Sequence, residues 1–205
     1  MFLLFVRRSF YNPRTARKVK DGKVQKKNNH RLTVWRGFVV DRDSPRKGFK
    51  HLVAKREIFD FVELIPDYKS LLFGLERIQL SSGSETSDGR YIRHSDSGTG
   101  TIEIEAWKSD LVQEIPLRYF EDHQSIFDKI ELKFEKRDDM VLCWFDEAKA
   151  KAFILLHVFI HELGHHHDKM NGKKRGTRGE MYAETFANQL EDVVWPLYVA
   201  RFGKP

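Results

Sequence analysis

Cysteine is the residue the sequence has least of, with Cys143 the single one. One thiol cannot close an intramolecular disulfide, which excludes a disulfide-stapled scaffold and fits a reducing compartment. Long apolar runs are missing too. The stretch over residues 152–160 (AFILLHVFI) falls far below the roughly 20 residues that span a bilayer. The apolar start, residues 1–6, is too short for a signal-peptide core, and its charges follow rather than precede it. The expectation is a soluble, cytoplasmic protein with no membrane span. Acidic residues are scarce at the beginning: through residue 56 there are 3 Asp and Glu against 17 Lys and Arg, while the remainder carries 27 against 19. The net charge of +6 therefore belongs to a dipolar chain, read as a basic N-terminal arm over residues 1–56 and a folded domain over residues 57–205.

Residues 7–30 (RRSFYNPRTARKVKDGKVQKKNNH) have little apolar periodicity and read as an extended arm. Such an arm attracts phosphates or an acidic partner, with Phe10 and Tyr11 available for stacking; its bland counterpart is a solvated tail. No nucleic-acid motif accompanies the charge, so it implies attraction without specificity.

Beyond the arm, residues 32–40 predict a strand and residues 41–48 a charged turn. Residues 57–64 suit helix or strand. Pro66 opens a predicted helix over 67–75, and β signals follow at 77–80, 90–94 and 100–107. The last alternates Ile102, Ile104 and Ala106 with Thr101, Glu103 and Glu105, giving one buried and one wet face. A helix is expected over 117–127, then a hairpin from 129–134 and 140–145 through residues 135–139. Asp146 offers an N-cap and Glu147 and the following alanines favour a helix over 147–168. A basic, glycine-punctuated loop over 169–179 leads to a last helix over 180–194, ending before Pro196.

The chemistry concentrates at His161-Glu162-Leu163-Gly164-His165, an H-E-x-x-H pattern inside the predicted helix. His161 and His165 are one turn apart on one face and can present two imidazole nitrogens to one metal ion. Glu162 can take a proton from a water that the metal polarises. A third ligand is needed. His157 lies eight residues from His165, about 12 Å along a helix axis, and cannot converge with both; it reads as a core histidine. His166 and His167 project about 100° and 200° away and read as a helix-end pair stabilised by the dipole. Asp168 shares nearly the same face as His161 and stays a candidate. Glu180 is preferred, with Glu184 one turn on able to accept the distal ring hydrogen of a ligating histidine.

H-E-L-G-H followed by E-x-x-A-E-x-F-A at residues 180–187 resembles the zincin metallopeptidases, in particular the gluzincin branch, and is similar to the segment found in ImmA/IrrE-type proteases. Asp168 and Asn171 stand where the metzincin pattern requires glycine and histidine. The resemblance covers residues 157–188. It implies one zinc ion at His161, His165 and Glu180, Glu162 as general base, and Glu184 supporting a ligand. The fold it implies is α+β: a minimal zincin-like domain, with a small mixed or antiparallel sheet packed on the active-site helix. Substrate in such proteins adds as a strand to the sheet edge; residues 100–107 are the expected edge, with Ile102, Glu103, Ile104 and Glu105 facing a basic peptide. Tyr182, Tyr91, His94 and Tyr198 are candidate oxyanion donors. Besides a peptidase, with or without recruitment to nucleic acid by the arm, the sequence allows a non-catalytic scaffold whose zinc is structural and whose arm binds nucleic acid or another acidic partner.

Overall fold

The computed structural model describes Val19–Lys20, Lys23–Val24, Thr33–Trp35, residues 37–171 and residues 179–205. The chain divides into two units, Met1–Arg31 and Leu32–Pro205. In the first, β1 (Val19–Lys20) pairs antiparallel with β2 (Lys23–Val24), a short ladder within what reads as an extended arm. Phe10 and Tyr11 lie outside the described residues.

The second unit takes in residues 32–56, which the charge pattern groups with the arm. Charge marks solvated surface and says nothing of strand pairing: β3 (Thr33–Trp35) pairs antiparallel with β4 (Phe38–Arg42), a member of the main sheet. Next come β5 (Phe49–Lys50) and α1 (Lys55–Val62), where the Glu57 carboxylate accepts the Ala54 backbone N–H at 2.7 Å and the helix buries Ile58, Phe59, Phe61 and Val62. The helix expected at 67–75 shrinks to one turn, α2 (Tyr68–Leu71). Asp67 sits at φ 51° and Gly74 at φ 81°, so the backbone is bent at both ends and Leu75 already begins β6 (Leu75–Ser81).

β6 is followed by β7 (Gly89–His94) and β8 (Thr99–Glu105). The five-stranded sheet runs β3-β4-β6-β8-β7, with β4, β6 and β8 parallel and the outer pairs antiparallel. The unit is therefore mixed α+β. Ile78, Leu80, Ile102 and Ile104 bury their side chains completely or nearly so, each such burial contributing about 1.5–3 kcal/mol. Small elements follow: β9 (Trp107–Lys108), paired with β5; β10 (Val112–Pro116); α3 (Leu117–Asp122) and α4 (Gln124–Lys129); then β11 (Lys133–Arg137) and β12 (Met140–Trp144). The helix expected over 117–127 is thus two helices, broken at His123, whose backbone adopts φ −112° and ψ 15°. The hairpin is tighter than expected, turning at Asp138 and Asp139, and β10 joins β12 on its other side.

Asp146 caps α5 (Glu147–Phe153) by accepting the Lys149 N–H at 2.8 Å. A π-helical segment (Ile154–Phe159) carries the rod into α6 (Ile160–Asn171), three residues past the expected end. The final helix, α7 (Gly179–Phe202), continues straight through Pro196. Proline removes one helical hydrogen bond and crowds the preceding turn, but packing on either side offsets this. Val194 and Tyr198 are buried, and Tyr198 stacks on Trp195 and Phe202 and meets Phe61 edge on. No helix among the described residues is long and apolar enough to cross a membrane.

Candidate metal centre

α6 presents His161, Glu162 and His165, and α7 crosses directly against it. The crossing depends on small residues. A Cβ on Gly164 would lie 2.8 Å from the Ala183 Cα and 3.1 Å from its carbonyl oxygen, and Ala183 and Ala187 are fully buried. Glycine costs about 1 kcal/mol inside a helix; here it lets two backbones approach. That approach carries Glu180 and Glu184 to the histidines. Glu180 Oε2 lies 3.5 Å from His161 Nε2 and Oε1 lies 3.4 Å from His165 Nε2, so the three donors fall within 4.8 Å of one another. His161 Nδ1 faces Glu184 Oε2 at 3.1 Å, fixing the ring and leaving Nε2 toward Glu180. Asp168 joins neither convergent donor group among the described residues. Two imidazoles, one carboxylate and an anchoring carboxylate behind the first imidazole form a donor set that fits zinc.

Burial works against charging His161, but the hydrogen bond to Glu184 and the surrounding carboxylates hold its imidazole above the ordinary value. Burial and the neighbouring His161 push His165 down. Glu162 is 7% exposed. Burial pushes its carboxyl up to about 7, against the opposing pull of His161 and of a hydrogen bond from the Tyr91 backbone. Glu184 moves the other way: burial raises it, yet the His123 and His161 imidazoles set against its two oxygens outweigh that and hold it well below the usual carboxylate range.

No family model, curated protein or solved structure matches this chain.

A cleft of about 570 Å³ opens onto His161, Glu162, Glu180 and Glu184. Its wall corrects several expectations. The strand at Thr99–Glu105 is no edge: β8 is hydrogen-bonded between β6 and β7, one strand in from the β7 edge. Glu103 is engaged by Arg90, and Glu105 accepts the Gly83 N–H at 3.0 Å. The edge beside α6 is β7. There, a Cβ on Gly89 would come within 2.7 Å of Val158 Cγ1 and 3.3 Å of Glu162 Cγ.

None of the four expected oxyanion donors lines this cleft. Tyr91 and Tyr182 hydroxyls meet His166 and His167 at 3.3 and 2.6 Å, His94 meets Thr101, and Tyr198 is packed into the core. Nor is His166 a charged helix-end residue. It is fully buried, bonded to the Phe73 carbonyl at 3.1 Å, and pushed down to about 4 by burial.

Tyr119 lines the cleft instead, with its hydroxyl held protonated by burial and by the charges of Asp88, Glu184 and Glu162. His123 and His157 stand beside it, and Asp88 accepts the Trp107 indole N–H at 2.9 Å. Asp88 comes from the bend before β7, Tyr119 from α3, His123 from the α3–α4 break and His157 from the π segment, with no common spacing that the sequence reveals. Chemically, the cleft joins a base that titrates near neutrality, a metal-type donor set and a hydroxyl donor.

Proposed function

We propose that this chain is a zinc-dependent peptidase of zincin-like arrangement, with Glu162 as general base. The observation that carries the reading is the Glu162 carboxylate, buried under β7 and next to the convergent His161, His165 and Glu180 donors. His161, His165 and Glu180 would hold a zinc ion, which when bound would supply Lewis acidity to the scissile carbonyl and the attacking water. Glu162 accepts a proton from that water as its oxygen bonds to the carbonyl carbon, and delivers the proton to the amine nitrogen as the C–N bond breaks. A value near 7 suits a group that takes and gives a proton at neutral pH. Tyr119 donates its hydroxyl to the carbonyl oxygen as negative charge develops there. Peptide adds as a strand along β7, above the helix that holds the base.

A purely structural zinc needs no base among its ligands, and burying an ionisable carboxylate at a cleft wall costs stability; both favour the catalytic reading. The basic arm is the docking segment for nucleic acid or another acidic partner, on the strength of its charge, and the lone, buried Cys143 suits the cytoplasm. Metal analysis and Glu162→Gln test the activity. We expect stoichiometric zinc in the parent and a loss of about 10²–10⁴-fold in peptide-library hydrolysis in the variant. A metal-free parent, or a variant as fast as the parent, overturns the proposal.

A further inference from the structure

The wall of the cleft carries another convergent donor set, made of two histidines the proposed reaction leaves idle and the carboxylate that anchors His161. His123 stands at the α3–α4 break, His157 in the π-helical segment and Glu184 in the second turn of α7. One nitrogen from each ring and one carboxylate oxygen lie within 4.8 Å of one another. The histidines are 7% and 3% exposed, and their rings meet edge to face with centroids 4.3 Å apart.

The hydrogens at this cluster do not balance on the protein alone. His123 Nδ1 lies 2.6 Å from the Tyr119 carbonyl oxygen, which can only accept, so Nδ1 carries the hydrogen. In the neutral ring, Nε2 is then a bare lone pair, and it faces Glu184 Oε1 at 3.3 Å, another acceptor. An additional proton on Nε2 would reconcile that pair. It would do nothing for His157, whose buried Nδ1 has no hydrogen-bond partner among the described residues. A divalent cation would be met by the donor atoms that converge there, one nitrogen from each ring and one Glu184 oxygen. A ring anchored through Nδ1–H to a carbonyl or carboxylate, with Nε2 free, is also how a metal-ligating histidine is normally held. His161 has that arrangement toward Glu184, and His123 repeats it toward a backbone carbonyl.

Glu184 divides its two oxygens accordingly. Oε2 accepts from His161 Nδ1, while Oε1 faces His123 and accepts a long hydrogen bond from Asn188 Nδ2 at 3.4 Å. We propose that His123, His157 and Glu184 form a second cation site, taking a zinc-type ion through two imidazole nitrogens and one carboxylate oxygen. The site does not require that the chain be a peptidase. Through Glu184, however, it is tied to the His161 ring.

The test is metal stoichiometry in the full chain, equilibrated with zinc alone, desalted and measured by elemental analysis. Two equivalents are expected in the parent. His157→Phe keeps a buried ring of similar shape and should hold one; His123→Gln, on a different element, should also hold one, which guards against a folding defect in either variant. His165→Ala should lose the other equivalent. One equivalent in the parent, lost in His165→Ala and retained in His157→Phe and His123→Gln, overturns the second site while leaving the peptidase reading intact; it would assign the His123 Nε2 position to a proton. A parent without zinc overturns both.

Discussion

Gly164 on α6 and Ala183 on α7 pack so closely that a methyl group on the glycine would sit 2.8 Å from the alanine Cα. Backbone cannot swing aside as a side chain can. Gly164→Ala should destabilise the fold by about 1–3 kcal/mol, the usual cost of overpacking, and should loosen zinc by parting Glu180 from the histidines. Urea unfolding and zinc retention against a chelator read the two effects; unchanged values in both would show that the helices have room to spare.

Glu180 and Asp168 make opposite predictions as third ligand. Glu180→Gln should weaken zinc binding at the His161/His165 site severely, whereas Asp168→Asn should leave it at the parental level, since only Glu180 brings its oxygens to 3.4–3.5 Å of both imidazoles. Competition against a fluorescent zinc indicator gives the ranking, and the reverse order refutes the geometry.

With β8 inside the sheet, its carboxylates have other duties. Glu103→Gln and Glu105→Gln should not alter selection between basic and neutral peptides, because the first is engaged by Arg90 and the second by the Gly83 amide. A twofold or greater change in the kcat/KM ratio for either variant would return these residues to the substrate site.

Asp88 supplies a pH dependence away from the metal ligands. Burial raises its carboxyl above the ordinary aspartate value, with Trp107 and Gln113 donors pulling back. The folded state therefore binds this proton more tightly than the unfolded one. The stabilisation this provides is full below the unfolded value and is lost as pH rises through the folded value. Asp88→Asn removes the titration, so its Tm relative to the parent should climb between pH 4 and pH 7; parallel Tm curves would contradict the assignment.

The arm is tested by charge. Removing residues 1–30 should abolish salt-sensitive binding to a DNA duplex, with the parent losing affinity steeply as salt rises. Equal affinity with and without the arm ends the docking idea.

What the sequence reveals here is local. The cap at Asp146, the H-E-x-x-H turn and the Glu180/Glu184 spacing each act over one or two turns, so periodicity and residue type report them directly. Ile102 and Ile104 likewise give away a buried face. Their neighbours on either side are set by pairings to Ile78 and Leu80 and to Gly89 and Tyr91, outside the local pattern, which is why an interior strand reads as an edge. Tyr119 and His123 were hidden for a related reason. They become cleft residues only because a helix breaks at His123, and a break with no proline or glycine leaves no mark in the composition. At Pro196 the local rule gives way to the aromatic packing of Tyr198.

The π-helical stretch Ile154–Phe159 gives the long rod one axis but two angular phases. Its wider hydrogen-bond closure works as a vernier between the half clamped in the core by Ala150 and Phe153 and the half that carries the donors. Loss of a single residue there would turn His161, Glu162 and His165 together by about 100°. The aim of the whole donor set is thus adjustable at a place outside the motif itself.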